Sequence, residues 1–152
     1  MSDSSDTYPL LQVEDDENDV LFLEHAFKQA GIINPVHVVR DGQEAIDYLC
    51  GNGIFSDRKQ YPLPCLMLLD LKLPRKNGLE VLGWIRQSPA LSWLPVIVFS
   101  SSAHRQDIRR AYELGASSFV VKPSCVERRT ELAKLIKGYW LEFNQAPFEW
   151  EK

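Results

Sequence analysis

The chain has 152 residues, 45% hydrophobic and 25% charged, with a formal net charge of −4. That is the make-up of one well-buried globular domain and excludes a disordered or fibrous chain. The acidic balance gives no general attraction to nucleic acid or anionic lipid, residues 1–7 are polar and acidic rather than a secretion signal, and no apolar stretch reaches membrane-spanning length, so a cytoplasmic protein with no nucleic-acid or membrane partner is expected.

Leu10-Leu11-Gln12-Val13 reads as a first strand, apolar except for Gln12, that stops at Glu14-Asp15. The acidic run 14–19 leads into Val20, Leu23, Phe27 and Ala30, which share one helical face, and Gly31 suits the left-handed residue just past a helix end. Residues 35–39 read as a second strand, Asp41-Gly42 as a turn, and Ala45, Ile46 and Leu49 as the apolar side of a second helix. Over 51–64 the composition shifts to Gly, Pro and polar residues, a long excursion that is either a functional loop or a tolerated surface insertion. Leu66-Met67-Leu68-Leu69 forms a third strand ending at Asp70, and Leu73-Pro74 with Asn77-Gly78 makes a loop before a helix carrying Leu79, Leu82 and Ile85. Pro95 opens a fourth strand that Ser100 closes; Ile108, Ala111, Tyr112 and Leu114 mark a short helix that Gly115 stops. Phe119-Val120-Val121 is a fifth strand, Lys122-Pro123 turns the chain, and Leu132, Leu135, Ile136 and Tyr139 give the last helix an apolar stripe. Five such units, (βα)5, predict an α/β fold with a doubly wound, five-stranded parallel sheet and flanking helices.

Parallel sheets bind ligands in the crevice at their carboxyl ends. Glu14, Asp15, Asp70, Ser100 and Lys122 stand at those ends. Carboxylates brought that close are costly unless one is protonated or a cation neutralises them. With neither sulfur nor imidazole supplied, a hard divalent ion is the natural partner, usually Mg²⁺. A carboxylate in such a site can attack a phosphoryl group, while the metal and an ammonium such as Lys122 neutralise charge on the transferring oxygens and Ser100 donates a hydrogen bond. Cys50, Cys65 and Cys125 are odd in number and far apart, so they read as buried small hydrophobes rather than a disulfide framework or zinc site. His25, His37 and His104 are isolated and carry no assigned chemistry.

From about residue 9 to 137 the chain resembles the response regulator receiver domains of two-component signalling, of flavodoxin-like fold. The resemblance rests on Val13-Glu14-Asp15-Asp16, on Leu69-Asp70-Leu71-Lys72-Leu73-Pro74 with Gly78, on Pro95 through Ser100, and on the run from Gly115 to Lys122-Pro123. It implies Asp70 as phosphoacceptor, Asp15 as a direct Mg²⁺ ligand, Glu14 as an acid acting on the metal largely through water, and the Lys72 backbone carbonyl as a further ligand. It implies Ser100 as the hydroxyl that follows the phosphoryl group, Lys122 as the phosphate-binding lysine, Phe119 as the aromatic whose rotamer couples to Ser100, and a cis bond before Pro123. A partner histidine kinase is implied as phosphodonor, and the chain as a regulator, not an enzyme, catalysing only its own phosphorylation and dephosphorylation. The 51–64 excursion and the tail Tyr139-Trp140-Leu141-Glu142-Phe143 with Pro147 look like the small receivers that partner cyanobacterial and bacterial phytochromes.

On this reading residues 1–8 are a flexible N-terminus, 9–137 the receiver domain and 138–152 a C-terminal extension. The extension is too short for a helix-turn-helix output domain. Its Tyr139, Trp140, Phe143, Phe148 and Trp150 either form a homodimer interface or fold back on their own domain. Arg105, Arg109, Arg110, Arg128, Arg129, Lys134 and Lys137 read as a solvated face. Two other readings compete: a phosphorylation-independent adaptor, disfavoured by the intact site, and a phosphotransferase of the haloacid dehalogenase type, disfavoured because Lys72 replaces its second acid.

Overall fold

The computed structural model describes residues 8–147. Five strands, β1 (Leu10–Val13), β2 (Val36–Val39), β3 (Leu66–Leu69), β4 (Val96–Ser100) and β5 (Ser118–Val121), alternate with α1 (Glu17–Ala30), α2 (Gly42–Cys50), α3 (Gly78–Gln87), α4 (Arg105–Glu113) and α5 (Val126–Ile136). All pairings are parallel, in the order β2-β1-β3-β4-β5, which is the expected doubly wound, flavodoxin-like sheet. Apart from Tyr8, the expected flexible N-terminus lies outside the described residues.

Alternation along the strands divides the core into two layers. Leu11, Val13, Met67, Leu69, Val96 and Val98 pack with residues of α2, α3 and α4, while Leu10, Leu66, Leu68, Ile97 and Phe99 pack with α1 and α5. Burial on both faces is why these strands read as unbroken apolar runs. Gln12 is buried within β1, and its Nε2 has no hydrogen-bond partner. Asp16 caps α1 by accepting from the Asn18 and Asp19 amides, and Gly31 closes that helix at φ 78°.

The 51–64 excursion is ordered. Arg58 donates to the carbonyls of Tyr48, Leu49 and Tyr61, satisfying the open end of α2. The Tyr48 hydroxyl donates to the Pro62 carbonyl, and the rings of Tyr48, Phe55 and Tyr61 pack against one another with His37 beside them. Burial there pushes the His37 pKa down.

Several expectations need correction. Cys50 and Cys125 are exposed at helix ends, and Cys65 is partly buried. On α4 only Ala111 is buried, and Tyr112 faces out, because β5 at the sheet edge gives this helix a narrow seat. The stripe expected on α5 is split: Ile136 is buried and Leu132 partly so, whereas Leu135 and Tyr139 are exposed. Arg129 leaves the solvated face and lies over the Phe22 ring. No peptide bond is cis among the described residues, so Lys122–Pro123 is trans, the isomer that X–Pro bonds modestly prefer.

The last helix does not stop at Ile136 but runs on as a π-helical turn, Lys137–Phe143. Leu141 is buried and Trp140 packs beside it on the α1/α5 layer, while Tyr139 and Phe143 are 58% and 78% exposed. The fold-back reading of the tail therefore holds for one side, through Leu141 and Trp140, while Tyr139 and Phe143 face outward. Phe148 and Trp150 lie outside the described residues.

Gly78 starts α3 directly beneath β3, where an added Cβ would meet the Asp70 carbonyl oxygen and the Leu71 backbone. Backbone cannot yield as a flexible side chain does. Gly78→Ala is therefore expected to lower the unfolding free energy by about 1–3 kcal/mol in urea titration, the usual range for overpacking.

Candidate functional site

The ladder extends one residue past three strands and so fixes the backbone of the site. The Glu14 amide donates to the Val39 carbonyl, that of Asp70 to Val13 and that of Lys122 to Ser100. These residues gather where β1 has β2 on one side and β3 on the other, the point where the strand order reverses. Glu14, Asp15 and Asp70 each bring a carboxylate oxygen within 4.8 Å of the others. At an effective dielectric of about 20, two unit charges at that 4.8 Å separation repel by about 3 kcal/mol.

One ammonium offsets this repulsion. Lys122 Nζ donates to Glu14 Oε1 at 2.6 Å, to Asp19 Oδ2 at 2.8 Å and to Asp70 Oδ2 at 3.0 Å, with its side chain only 8% exposed. Burial alone would push the lysine pKa down, but the carboxylates around it outweigh that and hold it above the usual range. Glu14 goes the other way for a carboxylate: burial, reinforced by the Asp70 charge and opposed by Lys122, pushes it up to about 7 from 4.5. Its excess negative charge thus makes the pocket's most buried acid easier to protonate than an ordinary carboxylate.

Asp15 is exposed at the mouth of the cluster. An open groove of about 440 Å³ begins there and runs past Lys72, Leu73, Pro74, Asn77 and Asp107. The Lys72 amide lies 3.4 Å from Asp70 Oδ1. Ser100 is fully buried and its Oγ accepts the Ser102 amide; Ser102 Oγ in turn donates to Asp107. Phe119 is half-buried against the α2–α4 layer, and its amide donates to the Tyr112 hydroxyl. Arg75, in the loop after Asp70, holds φ 67°, a left-handed backbone uncommon outside glycine, and reaches Asp41.

Sequence reasoning missed Asp19. As the third residue of α1, preceded by a capping Asp16, it reads as an acid favourable to the helix dipole. Its position four residues beyond Asp15, one helical turn on, was the available signal.

An all-oxygen acidic cluster against one buried lysine, at the carboxyl ends of a β2-β1-β3-β4-β5 sheet, marks a doubly wound α/β domain with an acidic, lysine-bound site. Residues 10–137 match the response regulator receiver domain, and the chain belongs to that family. It is 35% identical over 145 residues to the probable methanogenesis regulatory protein FilR2 of Methanothrix harundinacea, covering 95% of this chain and 91% of that one. It is 34% identical to the response regulator Rcp1 of Synechocystis, covering 93% and 95% of the two chains, and the structure of the Mn²⁺-bound form of Rcp1 superposes with a TM-score of 0.82. The phosphorylated cyanobacterial phytochrome response regulator RcpA is 32% identical, covers 93% of this chain and 99% of its own, and superposes with a TM-score of 0.85.

The raised Glu14 pKa has a measurable consequence. Between its unfolded value of 4.5 and the folded value of about 7, the folded chain binds the extra proton, so its contribution to metal-free stability is full below pH 4.5 and is lost as pH rises toward 7. Denaturant midpoints of the metal-free protein should show this fall between about pH 4.5 and 7, and Glu14→Gln should flatten it.

Proposed function

We propose that the chain is a phosphorylation-controlled response regulator that takes a phosphoryl group onto Asp70 from a histidine kinase and signals through a changed surface. The observation that carries this reading is the Lys122 ammonium 3.0 Å from Asp70 Oδ2 beside the Glu14, Asp15, Asp70 cluster. An Asp70 oxygen attacks the phosphorus of a phosphohistidine, a P–O bond forms as the P–N bond breaks, and the imidazole leaves with its electron pair and takes a proton. The donor set fits Mg²⁺: three carboxylates within 4.8 Å with one countercharge, all oxygen, held by Glu14, Asp15, Asp70 and the Lys72 carbonyl. Bound there, the ion supplies charge neutralisation on the transferring oxygens.

Lys122 stabilises the new phosphoryl oxygens. Ser100 turns its hydroxyl toward them, exchanging its contact with the Ser102 amide, and Phe119 repacks into the space released. Because Phe119 has no hydroxyl, that step works by packing alone. The chain modifies itself rather than turning over a substrate. A phytochrome-type kinase is the favoured donor, supported by the likeness to the cyanobacterial phytochrome response regulator RcpA at 32% identity over nearly the whole chain. The exposed side of the tail, with Leu135, Tyr139 and Phe143, suits a homodimer contact.

Two outcomes are expected. Wild-type protein incubated with a phosphorylated phytochrome-type kinase takes up hydroxylamine-sensitive label, and Asp70→Asn takes up none; full labelling of that variant refutes the assignment. In sedimentation with Mg²⁺ and beryllofluoride, a phosphoryl mimic, wild type forms dimers and the double variant Tyr139→Ala with Phe143→Ala remains monomeric with an unchanged melting temperature. A wild-type monomer with and without the mimic removes the dimer.

A further inference from the structure

We propose that Asp19 is a positioning residue that keeps the Lys122 ammonium aimed at Asp70, with Arg129 bracing it from behind; the inference rests on the phosphoacceptor reading above. An ammonium has three N–H donors, and here each meets a different carboxylate: Glu14, Asp19 and Asp70. Two of those three, Glu14 and Asp70, also belong to the cluster close enough to share a cation, and Asp70 is the group to be phosphorylated. A cation and a phosphoryl group therefore both draw on the partners that hold Lys122. Asp19, on α1, stands outside that cluster and stays available in every state of the site. Without it the flexible four-carbon stem of the lysine is held only by acids whose charge is committed elsewhere.

Asp19 is itself held on both sides. Its amide is fixed by the Asp16 cap, and its second oxygen, Oδ1, lies 3.9 Å from Arg129 Nη2 on α5. Arg129 also donates from Nε to the carbonyl of Pro123, the residue after Lys122, at 2.7 Å, and its guanidinium sits 4.4 Å over the Phe22 ring of α1. One arginine thus grips both the backbone that carries the lysine and the acid that orients it. An acid serving only the helix dipole has no need to turn inward, yet the Asp19 side chain is 22% exposed and within 2.8 Å of Nζ.

The test uses the full chain and two probes, Mg²⁺ alone and beryllofluoride with saturating Mg²⁺, titrated by calorimetry and by ¹⁹F resonance of the bound mimic. Asp19→Ala should need about tenfold more beryllofluoride for half-saturation, the effect of losing one charge-assisted hydrogen bond. Its affinity for Mg²⁺ alone should change by less than about threefold, since the lost charge lies outside the cluster and is partly screened. The ¹⁹F resonances should shift as the ammonium loosens, and Asp19→Glu, with the charge restored, should recover part of the affinity. Should the alanine variant fail to fold, the near-isosteric Asp19→Asn carries the same comparison. Beryllofluoride binding by the variants equal to wild type, or a loss matched by an equal loss for Mg²⁺, overturns the inference alone. A wild-type chain that takes up neither probe overturns the phosphoacceptor reading and this inference together.

Discussion

A single buried ammonium among acids governs this molecule. Lys122 is drawn from β5, Glu14 from β1, Asp70 from β3 and Asp19 from α1, and each must arrive within hydrogen-bond reach of one nitrogen. Removing either sign leaves the other buried without compensation, which costs far more than the pair itself contributes. The parallel register meets this demand because backbone bonds continue one residue beyond the strands and hold Glu14, Asp70 and Lys122 in line. Gly78 completes it by letting α3 begin against the Asp70 carbonyl.

The same arrangement leaves the pocket short of positive charge. Four acids face one lysine and a more distant arginine, and the crowding shows in the raised pKa of Glu14. A site in that condition gains from a divalent cation, with an exposed Asp15 and a lysine-held Asp70 beside it. Structure and chemistry meet in the charge balance rather than in any one residue.

Away from the site, order comes from side chains that complete helix ends. Arg58 draws the 51–64 excursion onto the end of α2, and Arg86 on α3 donates to the Gly115, Ser92 and Leu94 carbonyls, tying down the segments before β4 and β5. Composition labels the first of these segments a loop, because Gly and Pro mark backbone freedom. It does not show that an arginine seven residues beyond Gly51 returns to cap the helix. The tail follows the same logic: its helix continues past Ile136 because Leu141 and Trp140 find room on the α1/α5 layer.

The sequence by itself determined the strands, their parallel doubly wound arrangement and the acids and lysine at their ends. Those are local signals: an apolar run buried on both faces is visible residue by residue, and a polar group that ends it is visible beside it. Only the tertiary structure decided which acids share the lysine. Asp19 joins the cluster because the Lys122 side chain, from just past β5, reaches it on α1, and Arg129 leaves the solvent because α5 packs on α1. It also decided that Cys50 and Cys125 face outward and that the tail's aromatics divide between core and surface. Burial and pairing of charges depend on what comes from distant parts of the chain, and that information exists only once the helices have docked.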